Sequence, residues 1–154
     1  MTSPTQQVVV SGALVHQGRI LIVKRSRNEH LFPGYYELPG GKLEYGEDPM
    51  AGLIREFQEE TNLIINPFAP IRTFSYFNTD QTKHYIEIVY LVDLAETDAG
   101  LQTSEEHDDH KWITYDELQN YVQQMSSEVE TNIQMAFELT IGDDDNDEKP
   151  QHSH

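Results

Sequence analysis

The sequence predicts a single-domain α/β fold, and three observations predict it. β-Branched, apolar runs of strand length recur along the chain. They flank a stretch, 49–61, whose apolar residues fall at helical spacing. No internal repeat and no long linker divides the 154 residues, which suffice for one domain with a substantial core.

Residues 7–15 read as a first strand, Gly18 as a hairpin turn, and 19–25 as a second strand covered on both faces near its start. Residues 26–34 form a loop, and 35–38 a short strand broken by Pro39, Gly40 and Gly41. Residues 42–45 read as another short strand before a turn at Gly46. Asp48 followed by Pro49 marks a helix start, an acidic N-cap before a proline at the first position. That helix runs to about Thr61. It buries Met50, Leu53, Ile54 and Phe57 and ends at Asn62, a residue that tolerates the left-handed conformation. A short strand near 63–65 and a longer one over 70–77 are separated by Pro67 and Pro70. After a polar turn, 83–93 reads as a central strand, 94–106 as a loop, and 109–113 as a strand. Thr114 and Glu117 fit a capping box opening a helix to about Gln124. Ser126 or Ser127 caps a last helix, with Val129, Ile133, Ala136 and Phe137 at core spacing. The domain therefore covers 1–141, and 142–154 reads as a disordered acidic tail.

Charge excludes several functions. With 27 acidic and 10 basic residues the formal net charge is −17. Nucleic acid and anionic membrane both demand a basic face, so neither is expected as a partner. The chain has no cysteine, and hence no disulfide framework and no thiolate metal site. That suits a cytoplasmic location. No secretory leader is visible in MTSPTQQ, and no apolar run is long enough to span a membrane.

Glu56, Glu59 and Glu60 lie at offsets of three and four, which puts carboxylates on one helical face. Such a face is usually only solvated. Here it repels itself unless a cation joins it, and a hard divalent ion such as Mg²⁺, or Mn²⁺, takes oxygen ligands and bridges to phosphates. The register around it argues further. Gly41 is followed after five residues by Glu47, and after seven more by Arg55-Glu56-Phe57-Gln58-Glu59-Glu60-Thr61-Asn62-Leu63.

This stretch resembles the Nudix box of the Nudix hydrolase superfamily, in its MutT-like form. All but one of the specified positions match, Asn62 standing where the family has glycine. The preceding GYYELPGG also looks like the family's usual lead-in. The resemblance implies an α/β/α sandwich with a mixed central sheet and a loop-helix-loop. It implies Glu56, Glu59, Glu60 and the Gly40 carbonyl as metal ligands, Arg55 as the residue orienting Glu56, and Glu47 close to the metal site or in a helix-stabilising contact. It also implies hydrolysis of a nucleoside diphosphate linked to another moiety. A nucleoside triphosphate, or an oxidised one, cleaved to the monophosphate and pyrophosphate is the leading substrate class. The alternatives are ADP-ribose or a nucleotide sugar, or a non-catalytic nucleotide-binding module. The general base differs among such enzymes; the resemblance implies Glu56 or Glu106 as candidates, with Glu105 as neighbour and competitor, although an acid in an acidic loop is usually only solvent-exposed.

Substrate contacts are sought among Arg25, Tyr36, Tyr76 and Tyr85. Phe77 is a further stacking candidate, and Lys24, Arg27 and Lys42 are further phosphate candidates. Strand aromatics are more often packed than ligand-facing. His107 and His110 lack zinc-motif register and read as exposed, and Trp112 as core or pocket wall. A monomer and a homodimer fit the sequence equally.

Overall fold

The computed structural model describes residues 3–25, 33–95 and 107–153, with side chains for all of these except 107, 108 and 141–153. Strand β1, Thr5–His16, is the spine. It turns at Gln17 and Gly18, both with positive φ (54° and 78°), into antiparallel β2, Arg19–Arg25. Positive φ at both central residues defines the turn whose twist matches that of a hairpin, and glycine takes it without strain. The short strand β3, Tyr36–Glu37, pairs with β2, and β4, Gly40–Lys42, pairs with Val9–Ser11 of β1. The glycines expected to break a strand at 39–41 are thus the strand itself. A Cβ on Gly40 would overlap the carbonyl of Val10, so only glycine allows this approach.

Helix α1, Pro49–Thr61, starts where Asp48 accepts hydrogen bonds from the amides of Met50 (3.1 Å) and Ala51 (3.2 Å). It stops at Asn62 in the left-handed conformation, φ 63°. Strand β5, Ile65–Phe77, is one element and not the expected two. Its register shifts at Pro67/Ala69 and Pro70/Arg72. An edge strand can absorb prolines at bulges, because an outward-facing position needs no ladder N–H. Strand β6, Lys83–Leu94, pairs with β5 antiparallel and with β1 in parallel, and β7, His107–Ile113, pairs with β2. The sheet order is β3-β2-β1-β6-β5, with β4 on β1 and β7 on β2.

Thr114 and Glu117 do form the reciprocal box, the Glu117 carboxylate accepting from the Thr114 amide at 2.8 Å and the Glu117 amide donating to the Thr114 hydroxyl at 3.3 Å. It opens two short 3-10 turns, Asp116–Asn120 and Val122–Gln124, and not the α-helix expected there. Leu118 is the buried anchor of the first, and the second buries nothing, so there is no apolar stripe to hold a longer helix. Helix α2, Ser127–Ser153, is capped by Ser126, whose hydroxyl accepts from the Val129 amide at 3.2 Å. Its helical backbone continues to Ser153, past the domain boundary expected at 141.

The two helices cover opposite faces, as strand alternation requires. Leu53 and Phe57 of α1 pack on Val10, Leu14, Leu21, Tyr90 and Val92. Ile133, Ala136 and Phe137 of α2 pack on Ala13, Ile20, Ile22, Val89 and Leu91. The result is an α/β/α sandwich around a mixed sheet. Arg72 of β5 fastens α2, donating to Asn132 Oδ1 at 2.8 Å and ion-pairing with Glu128.

Candidate active site

The capped start of α1 and the β4 glycines bring the acidic stretch against the sheet edge. Arg55 is its hub. Its Nε and Nη2 grip Glu47 Oε2 and Oε1 at 2.7 and 2.9 Å. Its Nη1 donates to Glu56 Oε1 at 2.8 Å and Glu59 Oε2 at 2.9 Å. Its Nη2 also reaches the Lys42 carbonyl at 3.3 Å. A rigid five-donor fork suits this task, and lysine could not perform it. The side chains of Glu56 and Glu59 are 19% and 56% exposed, whereas Glu60 is buried. The Gly40 amide lies 3.5 Å from Glu60 Oε2.

Gly41 matters for the space it leaves. A Cβ there would overlap the Glu56 carboxylate. Gly41→Ala is therefore expected to displace Glu56 and to cut kcat/KM about 100-fold, with the circular dichroism spectrum retained. Wild-type kinetics in this variant would show that the position of Glu56 does not matter.

Arg55, with help from the Glu44 amide, holds the Glu47 carboxyl far below its ordinary value of 4.5, at about 2. A depressed folded-state pKa contributes stability above the unfolded value, and that contribution is lost as pH falls through the folded value. Denaturation midpoints of wild type and Glu47→Gln should therefore converge between about pH 4.5 and 2. A gap that stays constant over that window would contradict the linkage.

A cleft of about 830 Å³ opens beside this hub. Glu56, Glu60, Gly40 and Gly41 line one part. Arg25, Tyr76 and Tyr85, also singled out from the sequence, line it too, as does Lys42, whose ammonium lies 5.8 Å from the Tyr85 ring centroid. Arg25 is held by Glu37 at 3.1 Å. Tyr36 departs from the expected set. It is buried in the α2-side core, edge-on to Tyr121 at 5.4 Å, because β3 turns it inward. Glu59 is turned onto Arg55 and does not line the cleft. Phe77 is exposed and stacks on His84. Glu105, Glu106 and Arg27 lie outside the described residues. Trp112 packs against the α1-side core and His110 is half-buried.

The sequence reading missed Ser11, Glu37 and Glu87, which also line the cleft. Glu87 was findable, as a lone carboxylate between Ile86 and Ile88 in an apolar strand.

Among the described residues no three acidic or imidazole side chains are already gathered at metal-holding distance. The donor set nevertheless fits a hard cation. It offers only oxygens, and two of the carboxylates, Glu56 and Glu60, share the cleft with backbone made accessible by two glycines. No helix among the described residues is long and apolar enough to cross a membrane.

Comparison with known proteins agrees with this geometry. The NUDIX domain model matches residues 5–132. An ADP-ribose pyrophosphatase of Methanocaldococcus jannaschii is 36% identical over 87 residues, covering 56% of this chain and 50% of that protein, so the chain spans half the length of that relative. A nucleoside triphosphatase NudI of Escherichia coli is 30% identical over 125 residues, 75% of this chain and 87% of that protein. The crystal structure of a MutT protein from Methanosarcina mazei superposes with a TM-score of 0.74 at 23% identity, over 91% of this chain and 97% of that one. Box, sandwich and family match converge: the chain belongs to the Nudix hydrolase family.

Proposed function

We propose that this Nudix hydrolase cleaves nucleoside triphosphates, or oxidised relatives, to the monophosphate and pyrophosphate, with Mg²⁺ as its ion and Mn²⁺ as a substitute. The observation that carries the reading is the single cleft joining the Glu56–Glu60 carboxylates to a pocket walled by Tyr76 and Tyr85. One end suits phosphates through a cation, the other a planar base. The similarity to nucleoside triphosphatases over most of their length supports it. Similarity to an ADP-ribose pyrophosphatase supports a second reading, with ADP-ribose or a nucleotide sugar as substrate. A non-catalytic module is disfavoured, since every box carboxylate is retained.

Glu56, Glu60 and the Gly40 carbonyl would hold the ion, joined by Glu59 through a change of rotamer away from Arg55. When bound, the ion neutralises diphosphate oxygens, polarises phosphorus and lowers the pKa of the attacking water. Arg55 keeps Glu56 and Glu47 in register and offsets their repulsion. Glu56 or Glu106 takes the proton of the attacking water. Lys42 and Lys83, both lining the cleft, are placed to meet phosphate oxygens. We assign the protein to the cytoplasm, as a monomer or homodimer.

A screen over nucleoside triphosphates, ADP-ribose, nucleotide sugars and dinucleoside polyphosphates tests the substrate class. Triphosphates are expected to give the highest kcat/KM. Preference for ADP-ribose would favour the second reading, and tight binding with no hydrolysis would favour the module.

A further inference from the structure

Glu87 of β6 is a carboxylate set among apolar neighbours, and the box chemistry has no role for it. Alternation along β6 puts it on the face that carries Tyr85, and both line the cleft. Its Oε2 accepts from the Ser11 hydroxyl at 2.8 Å and its Oε1 from the Tyr76 hydroxyl at 2.9 Å. These two contacts, from β1 and β5, fix the carboxylate on both sides. Burial pushes the carboxyl above its ordinary range, and the two hydroxyls pull it back.

Charge sorts what can enter this end of the cleft. Glu37 and Asp80 line the cleft with Glu87, and the Arg25 guanidinium is already on Glu37. Lys42 and Lys83 on the same cleft serve the phosphates, whereas the Glu87 carboxylate itself repels an anionic phosphate and accepts a neutral group with hydrogen-bond donors. A carboxylate has about four lone-pair sites, and one on each Glu87 oxygen is taken. One acceptor site on each oxygen remains, and a carboxylate with both oxygens available complements two adjacent N–H donors on a planar edge. Among the common nucleobases, guanine presents that edge, through N1–H and its 2-amino group. Tyr85, stacked on Tyr76 with ring centroids 5.3 Å apart, supplies the flat wall beside it.

We propose that Glu87 is the specificity-determining residue of the cleft, accepting two N–H hydrogen bonds from the base of a guanine nucleotide. Ser11 and Tyr76 are positioning residues that hold its carboxylate in plane. The inference rests on the nucleotide-hydrolase reading above.

The test compares GTP with ITP, which keeps the phosphates, the sugar and N1–H but lacks the 2-amino group. Wild type is expected to favour GTP in kcat/KM by about 10-fold or more, the worth of one well-placed base contact. In Glu87→Gln, whose amide sets a donor against a donor, the ratio should fall toward one, with the change in KM. Tyr76→Phe keeps the ring stack and should give an intermediate ratio, which keeps the test alive if Glu87→Gln does not fold. A wild-type ratio near one, or a ratio unchanged in both variants, would overturn the proposal. So would loss of discrimination between ATP and dATP in Glu87→Gln, which would mean that the carboxylate reads the ribose. If wild type hydrolyses no nucleotide, the hydrolase reading fails. Calorimetric binding of GMP against IMP then decides the Glu87 assignment, with weaker IMP binding expected and equal binding contradicting it.

Discussion

Glu56→Gln is expected to lower kcat/KM for metal-dependent hydrolysis about a thousandfold, the several kcal/mol that a correctly held cation supplies to phosphoryl chemistry. The substitution keeps the shape of a side chain that fits against Gly41. It removes one charged oxygen donor from the cleft and one partner from Arg55 Nη1. Stability should be little affected, because a self-repelling acidic cluster loses a charge. The checks are steady-state kinetics over a Mg²⁺ series and a thermal melt in metal-free buffer. Hydrolysis within a few-fold of wild type, with an unchanged Mg²⁺ requirement, would remove Glu56 from the metal site.

Arg55→Ala should cost about 100-fold in kcat/KM, since displacing catalytic groups by about an ångström has that effect. Three carboxylates and a backbone carbonyl accept hydrogen bonds from this guanidinium. Without it Glu47 and Glu56 lose their shared anchor and α1 loses its tie to the Lys42 backbone. Arg55→Lys should recover little, because an ammonium cannot reproduce the bidentate grip on Glu47 while also holding Glu56 and Glu59. Kinetics of the Ala and Lys variants side by side check this. Full rescue by lysine would show that charge alone is required, and not the fork.

Much of this molecule is legible along the chain because its signals are local. Asp48, Pro49 and Asn62 bound α1 by capping chemistry that needs no tertiary knowledge. The alternation of Ile20 to Val23 shows a strand covered on both faces. Where the reading failed, pairing partners decided. Gly40 and Gly41 look like a break until Val9 to Ser11 are placed beside them. Pro67 and Pro70 look like a gap until β5 is known to be an edge. The box was legible as a spacing, but the rest of the cleft is assembled from residues far apart in sequence. Ser11, Tyr76 and Glu87 meet only because β1 and β5 flank β6. Tyr36 and Tyr76 are both strand tyrosines, each with another aromatic residue beside it in the chain, and only the sheet topology sends one into the core and the other into the cleft.

The most direct test of the account is ³¹P NMR of the products from a nucleoside triphosphate, with the protein first freed of metal and Mg²⁺ then added in steps. The expected result is no turnover without metal, turnover that rises with Mg²⁺, and equal amounts of nucleoside monophosphate and pyrophosphate. Hydrolysis that proceeds equally well in a chelator, or release of inorganic phosphate and nucleoside diphosphate, would contradict it.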